Sequence, residues 1–190
     1  MNVQNISFGA RYIKNATIKK KENDELKNHK IAMVELDPYD FNDIKCINNL
    51  NLDWGGRASL SYAYALNMNN IFAELTEKKS AHFYALTQQK ENFEILDHEL
   101  ILSLAETSNY YDDKTKSLDL LETFFAESHT SKNAQFKHIG KAMLDNIKFL
   151  LRGNDIIAEV VENAEKFYEK EGFERISGGV NRYIFRSIKF

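Results

Sequence analysis

The feature that most constrains the fold is the apolar run at residues 156–161, where only Glu159 interrupts a series of Ile, Ala and Val. A run this short and this rich in β-branched residues is typical of a strand buried on both faces of a sheet. Such a strand needs other elements packed above and below it. Apolar residues at helical spacing over 139–151 precede it, and a short helix that ends at Gly172 follows it.

The rest of the chain predicts a mixed architecture. We expect strands at residues 6–18, 31–36, 82–87, 93–96, 100–107, 118–126, 156–161 and 183–188, and helices at 44–50, 58–77, 139–151 and 163–170. The first helix can be capped by Asp40 or Asp43 and the last by Asn163, whereas residues 19–30 are expected to form a charged connection. This order predicts the α+β class, with a mainly antiparallel sheet flanked by helices. We expect one domain over residues 1–190, in which residues 1–30 supply an N-terminal strand extension.

Composition excludes several classes of protein. With 190 residues, 43% hydrophobic and 28% charged, the chain is globular rather than disordered. Its one Cys excludes an internal disulfide, and its five scattered His residues lack metal-ligand spacing, so no metal site is expected. A net charge of -3 gives no global basic footprint, and we expect no nucleic acid partner. No apolar stretch reaches the roughly 18 residues of a membrane span, and residues 1–9 lack a secretory pattern, so a cytoplasmic protein without membrane contact is expected.

The segment most indicative of chemistry is a predicted strand at 118–126, a polar loop, and a helix that begins near Gly140. A helix N-terminus presents unpaired N–H groups and partial positive charge, which can hold a phosphate. Lys137 and Lys141 would oppose the helix dipole there, and an anionic ligand would remove that conflict. The alternative is an ordinary loop with two solvated lysines.

Two motifs resemble the GNAT superfamily of N-acetyltransferases. In that family an Arg/Gln-x-x-Gly-x-Gly/Ala segment opens a helix after a strand, and here Gln135 and Gly140 fit it, with His138 where the family usually has its first Gly. A later family helix ends in Phe-Tyr-x-x-x-Gly-Phe, which Phe167 and the residues up to position 173 match. The resemblance implies a GNAT-like fold with a splayed sheet. In it, the strands at 118–126 and 156–161 diverge to admit the pantetheine arm of acyl-CoA.

The resemblance also implies which residues hold acetyl-CoA, the expected co-substrate. The backbone near Phe125 and Ala126 would bind pantetheine and polarise the thioester, and the amides of about 136–141 would hold the diphosphate. The implied carrier-binding residues are Phe125, Ala126, Gln135, Phe136, Lys137, His138, Ile139, Gly140, Lys141, Asn163 and Phe167.

Catalysis would require an acid and a base. The resemblance implies that Tyr168 protonates the departing thiolate, although it can also simply pack its helix on the sheet. Glu122 is the first candidate base, since on a regular strand it would share a face with Leu118, Leu120 and Phe124. The alternative is a bulge that turns Glu122 to solvent; Glu159 and Glu106 are further candidates.

These motifs predict an N-acetyltransferase that passes acetyl from acetyl-CoA to a primary amine by direct attack in a ternary complex. Trp54 lies where the family lines its acceptor pocket, so it can stack on substrate, or it can be a core residue. The acceptor is a small-molecule or protein amine, and a homodimer is one arrangement open to the chain. The alternative function is an inactive, GNAT-shaped module that binds coenzyme A or a regulatory partner.

Overall fold

A computed structural model describes residues 9–38, 40–54, 81–109, 114–124, 134–177 and 181–187. The strands in these ranges are β1 (Arg11–Glu22), β2 (Glu25–Leu36), β3 (His82–Thr87), β4 (Ile101–Asn109), β5 (Thr115–Thr123), β6 (Phe136–Lys137), β7 (Asp155–Glu159), β8 (Glu174–Arg175) and β9 (Arg182–Phe185). The α-helices are α1 (Phe41–Asp53), α2 (Ile139–Leu150) and α3 (Glu165–Lys170). The predicted helix at 58–77 lies outside the described residues. None of the helices in the described ranges has both the length and the apolar character needed to cross a bilayer.

The strands form one sheet in the order β6-β1-β2-β3-β4-β5-β7-β9-β8. Neighbours are antiparallel except for β5 and β7, which run parallel. Helices cover both faces, so the predicted α+β class with a mainly antiparallel sheet is confirmed. The assignment of residues 1–190 to one domain stays a prediction.

Alternation along the strands creates a separate core on each face of the sheet. On β2, Met33 packs on the side of α2 and α3, whereas the next residue, Val34, packs on the side of α1. Helix α1 begins after Asp40, one of the two predicted caps, because the Asp40 side chain accepts hydrogen bonds from the N–H groups of Asn42 and Asp43. The helix therefore starts before the predicted range of 44–50. We refer below to the α2 side and the α1 side of the sheet.

The prediction of a charged connection over residues 19–30 is wrong. Strands β1 and β2 pair through to Glu22 opposite Glu25, and Asn23 and Asp24 turn the chain with φ values of 49° and 65°. Two successive positive φ angles are what a tight hairpin of type I′ requires, and Asn and Asp tolerate them. The charged side chains of this segment lie on both faces of an exposed two-stranded ribbon. Its stability comes from backbone pairing rather than from burial.

Three other local predictions differ from the structure. Residues 93–96 form turns rather than a strand, because the Gln89 side chain donates to the backbone carbonyls of Glu91, Asn92 and Ile95 and so replaces strand partners. Asn163 lies inside a 3-10 turn and does not cap α3. Strand β7 has one fully buried face only, since Ile157 is half-buried and Glu159 is exposed.

Candidate active site

Strands β5 and β7 separate partway along their length. They pair in parallel register from Thr115 opposite Asp155 to Leu118 opposite Ala158. Beyond that point β5 continues to Thr123 beside β4, while β7 continues beside β9. Among the described residues a wedge-shaped opening, the β5–β7 gap, therefore begins after Leu118.

A β-bulge at Asp119 lies where the β5–β7 gap begins. Glu106 on β4 pairs with Leu120. The next residue, Thr107, pairs with Leu118, so Asp119 has no opposite residue in the β4 register. Bulges increase local twist, which accounts for β5 turning away from β7 here. The bulge also moves Leu118 to the α2 side, whereas Leu120 packs on the α1 side, so the expectation that Leu118 shares a face with Leu120 is wrong.

Gly140 lies at the open end of the β5–β7 gap, in the first turn of α2. A Cβ atom added to Gly140 would lie 3.6 Å from Thr123 Cγ2 and 3.8 Å from Phe167 Cζ. The end of β5, the start of α2 and the helix α3 thus converge on one residue that has no side chain. The absence of a side chain at Gly140 lets these three elements lie close to its backbone.

The start of α2 is shaped by His138 and anchored by β6. His138 has a φ of 65°, a left-handed conformation that glycine adopts more readily, and its side chain makes no capping hydrogen bond. The Lys21 N–H donates to the carbonyl of Gln135 at 2.8 Å, and Phe136 is buried beneath β1. These contacts fix the direction in which the first N–H groups of α2 point.

The two lysines near the helix start differ in their partners. Lys141 Nζ donates to Glu171 at 2.6 Å and lies 3.3 Å from Asp145, and the hydrogen bond with Glu171 raises the pKa of Lys141. The positive charge of Lys141 is therefore already balanced by two carboxylates of the protein. Lys137 forms no ion pair within the described residues and lies opposite β1.

Tyr168 is a buried residue of α3. Its ring contacts Phe167 and Phe173 edge to face, with centroids 5.3 Å and 5.2 Å away. Tyr168 is 8% exposed and packs in the α2-side core, and this burial raises the pKa of its hydroxyl to about 12. Since α3 also supplies Phe167 next to Gly140, Tyr168 belongs to the element that borders the open end of the gap.

Two carboxylates lie beside the gap on the α1 side. Glu122 is half-buried and pairs with Leu104. It lies two residues after Leu120 on β5 and therefore on the same, α1 side of the sheet, so the bulge does not turn Glu122 to the other face. Glu106, opposite Leu120, is 9% exposed, and burial, with a smaller effect from Asp119, raises its pKa to about 7. The register makes Glu106 and Glu122 diagonal neighbours on adjacent strands, with Cβ atoms about 7 Å apart or less.

The remaining candidates lie elsewhere. Glu159 points to the surface and binds Arg182 through Nε at 3.0 Å and Nη2 at 2.9 Å. Trp54 is 7% exposed in the α1-side core and stacks on Phe124 with centroids 5.8 Å apart. Asn163 is exposed, and it borders a cavity of about 560 Å³ together with Val161 and Glu162. Phe125 and Ala126, expected to bind pantetheine, lie outside the described residues.

Sequence reasoning missed the environment of Lys141 and the contribution of β1 to this site. The Asn23-Asp24 pair was an available signal for a hairpin turn, since Asn and Asp favour positive φ. No local signal could have predicted that Lys141 pairs with Glu171, which lies thirty positions away in sequence.

Comparison with known proteins identifies the fold. No family model matches the sequence, and no curated protein matches it. A solved structure described as an acetyltransferase of the GNAT family, from Desulfovibrio desulfuricans, superposes with a TM-score of 0.52 at 15% identity, over 81% of this chain and 96% of that chain. PaiA N-acetyltransferase from Thermoplasma acidophilum, in complex with coenzyme A, gives 0.49 at 13% identity, over 80% and 96% of the two chains. The first likeness shows that this chain has the fold of the GNAT N-acetyltransferases.

Proposed function

We propose that the protein is an acyl-CoA-dependent N-acyltransferase that transfers acetyl from acetyl-CoA to a primary amine. One observation supports this most directly. Strands β5 and β7 part after Leu118 and Ala158, and Gly140 leaves the open end of the resulting gap free of side chain between Thr123 and Phe167. An extended pantetheine arm needs such a slot, and a diphosphate needs helix N–H groups at its end.

The residues around α2 fit coenzyme A. The helix start lacks a capping side chain from His138, so its first N–H groups are available to an anion. Residues 135–141 would hold the diphosphate through backbone amides. Phe167 and Asn163 would border the arm, and the backbone of 125–126 would contact pantetheine and the thioester carbonyl. When bound, the thioester supplies an activated acyl group and a thiolate leaving group.

The acceptor amine would approach from the α1 side, where Glu106 and Glu122 lie. An ordinary Glu, with a pKa of about 4.3, is about six units below a Lys-like ammonium at about 10.4. Burial raises the pKa of Glu106 to about 7, which removes nearly half of that difference. Glu122, or a water held by it, would accept the proton from the amine, and Glu106 would be the alternative acceptor. The acceptor is a small-molecule or protein amine, to which Trp54 would lie close.

Tyr168 would stabilise the thiolate as the carbon–sulfur bond breaks. With its pKa at about 12, full transfer of its proton to a thiolate of ordinary pKa near 8.5 is uphill by about 5 kcal/mol. Tyr168 would therefore act best by donating a hydrogen bond to the sulfur, while the proton released by the amine completes the thiol.

Calorimetry with acetyl-CoA, followed by an assay for free thiol release with a panel of amines, tests the proposal. We expect saturable binding and amine-dependent release of one thiol per acylated product. Absence of binding at millimolar acetyl-CoA would refute the proposal. Binding without release from any amine would assign the alternative, an inactive carrier-binding module.

A further inference from the structure

Asp119, the residue that bulges from β5, is held in place by two hydroxyl groups. Ser108 Oγ donates to Asp119 Oδ2 at 2.6 Å, and Ser117 Oγ donates to the other carboxylate oxygen, Oδ1. Ser108 and Ser117 are directly opposed in the register of β4 and β5, so Asp119 receives a donor from each strand. Because an aspartate is ionised at neutral pH, the two serines hold a negative charge in a fixed position at the bulge.

Glu106 lies on the same face of the sheet as this charge. It is two residues from Ser108 on β4, so both side chains leave the α1 side of the sheet. Glu106 is 9% exposed between Phe83 on β3 and Leu120 on β5, both of which pack in the α1-side core. Within the described residues Glu106 forms no hydrogen bond and no ion pair. It is therefore a nearly buried carboxylate, and the charge that acts on it, that of Asp119, has the same sign.

The elements around Glu106 bring it no compensating positive charge within the described ranges. On β5 the neighbouring titratable side chains are Asp119 and Glu122, and Glu122 lies diagonal to Glu106. On β3 the neighbouring side chains of this face are apolar. The buried titratable groups of α1, Asp43 and Cys46, interact with each other. Burial, with the smaller effect of Asp119, accordingly raises the pKa of Glu106 to about 7.

We propose that Glu106 accepts the proton of the acceptor amine, and that Asp119 is a positioning residue that acts through Glu106 by fixing a negative charge beside it. The inference rests on the proposed function and selects one of the two carboxylates that the proposed function leaves open. Glu106 is more deeply buried than Glu122, which is half-buried. A desolvated carboxylate that faces a like charge gains more from taking up a proton than a better solvated one.

The protons of this step balance without any further group. The acceptor arrives as an ammonium ion and transfers one proton to the Glu106 carboxylate, directly or through one water. The neutral nitrogen then bonds to the thioester carbon, and the electron pair of the broken carbon–sulfur bond leaves with the thiolate. A second proton from the nitrogen completes the thiol, and the proton on Glu106 returns to solvent.

The test compares the pH dependence of kcat/KM for the amine, at saturating acetyl-CoA, in the wild type and in variants of Asp119. In the wild type the limb that falls toward acid pH should have its midpoint at about pH 7. A like charge about 7 Å away in a water-like dielectric is equivalent to about half a pH unit, so Asp119→Asn should lower the midpoint by about that amount. Asp119→Glu keeps the charge and should largely restore the midpoint. The matched control Asp24→Asn removes the same charge from the exposed hairpin turn and should leave the profile unchanged.

Carbon-13 NMR of the glutamate carboxyl groups follows the same proton without requiring activity, with the Glu106 signal assigned by its loss in Glu106→Gln. A midpoint that Asp119→Asn leaves in place in both measurements would overturn the coupling between the two residues. A shifted NMR titration with an unchanged activity profile would overturn Glu106 as the proton acceptor and leave the proposed function standing. Absence of thiol release from every amine would refute the proposed function and the inference with it. Circular dichroism establishes that each variant is folded.

Discussion

Replacing Gly140 with Ala should separate the stability of the protein from its ability to bind coenzyme A. The added Cβ would lie 3.6 Å from Thr123 and 3.8 Å from Phe167, which are ordinary contact distances, so no neighbour has to move. Alanine is favoured over glycine within helices by up to about 1 kcal/mol, and less in the first turn. The variant should therefore be more stable than the wild type by about 0.5 kcal/mol.

Binding should change in the opposite direction. The same methyl group occupies the space between β5 and α3 that the carrier would fill. Overpacking by one methyl group costs about 1–3 kcal/mol, equivalent to a loss of about 5- to 150-fold in affinity. Urea unfolding followed by circular dichroism measures the stability, and calorimetry with coenzyme A measures the affinity. A variant that binds coenzyme A as tightly as the wild type would refute the placement of the carrier beside Gly140.

Gly153→Ala supplies the matched control. Gly153 has a φ of 87°, and no heavy atom lies within 4 Å of its added Cβ. Alanine in this left-handed conformation should destabilise the protein by about 1 kcal/mol. Because Gly153 follows the other end of α2, affinity for coenzyme A should be unchanged. Gly140→Ala should thus raise stability and lower affinity, whereas Gly153→Ala should lower stability and leave affinity unchanged.

Three further predictions follow from the site. Tyr168→Phe should lower kcat, measured by thiol release, about a hundredfold. The Kd for coenzyme A, measured by calorimetry, should change by less than about twofold, and equal changes in kcat and Kd would indicate a packing role only. Folding raises the pKa of Glu106 from 4.5 to about 7, so the folded state binds this proton more tightly and loses stability as pH rises through that window. Glu106→Gln should remove about 3 kcal/mol of that decline in pH-dependent urea unfolding, whereas a variant with the wild-type slope would contradict the assignment. His138→Gly should stabilise the protein by about 0.5 kcal/mol by relieving a φ of 65°, and His138→Ala should not; equal stabilities of the two variants would contradict the presence of strain.

The parts of the fold that sequence predicts well are those fixed by local physics. The Asp40 cap and the apolar spacing of Met143 and Ile147 depend only on residues within a few turns, and both predict their helices correctly. The separation of β5 from β7 was implied by family resemblance, and the ladder ending at Leu118 opposite Ala158 confirms it. The roles of individual site residues stay predictions.

The parts that sequence could not predict depend on register between distant segments. The bulge at Asp119 arises because two consecutive residues of β4, Glu106 and Thr107, pair with Leu120 and Leu118 of β5. This shift in register decides which face of the sheet Leu118 occupies. The turn at Gln89 replaces a predicted strand because one amide side chain satisfies several carbonyls at once. Such contacts are set by the assembled structure and not by hydrophobic periodicity.

The pairing of β1 with β6 has a consequence for biosynthesis. Lys19 emerges from a ribosome long before Lys137, which lies well over a hundred positions later in the chain. Until that second segment arrives, the outer edge of the N-terminal hairpin offers unsatisfied backbone groups to any neighbouring polypeptide. The lysine-rich edge then repels other copies of itself, so these charges would protect the nascent chain from aggregation.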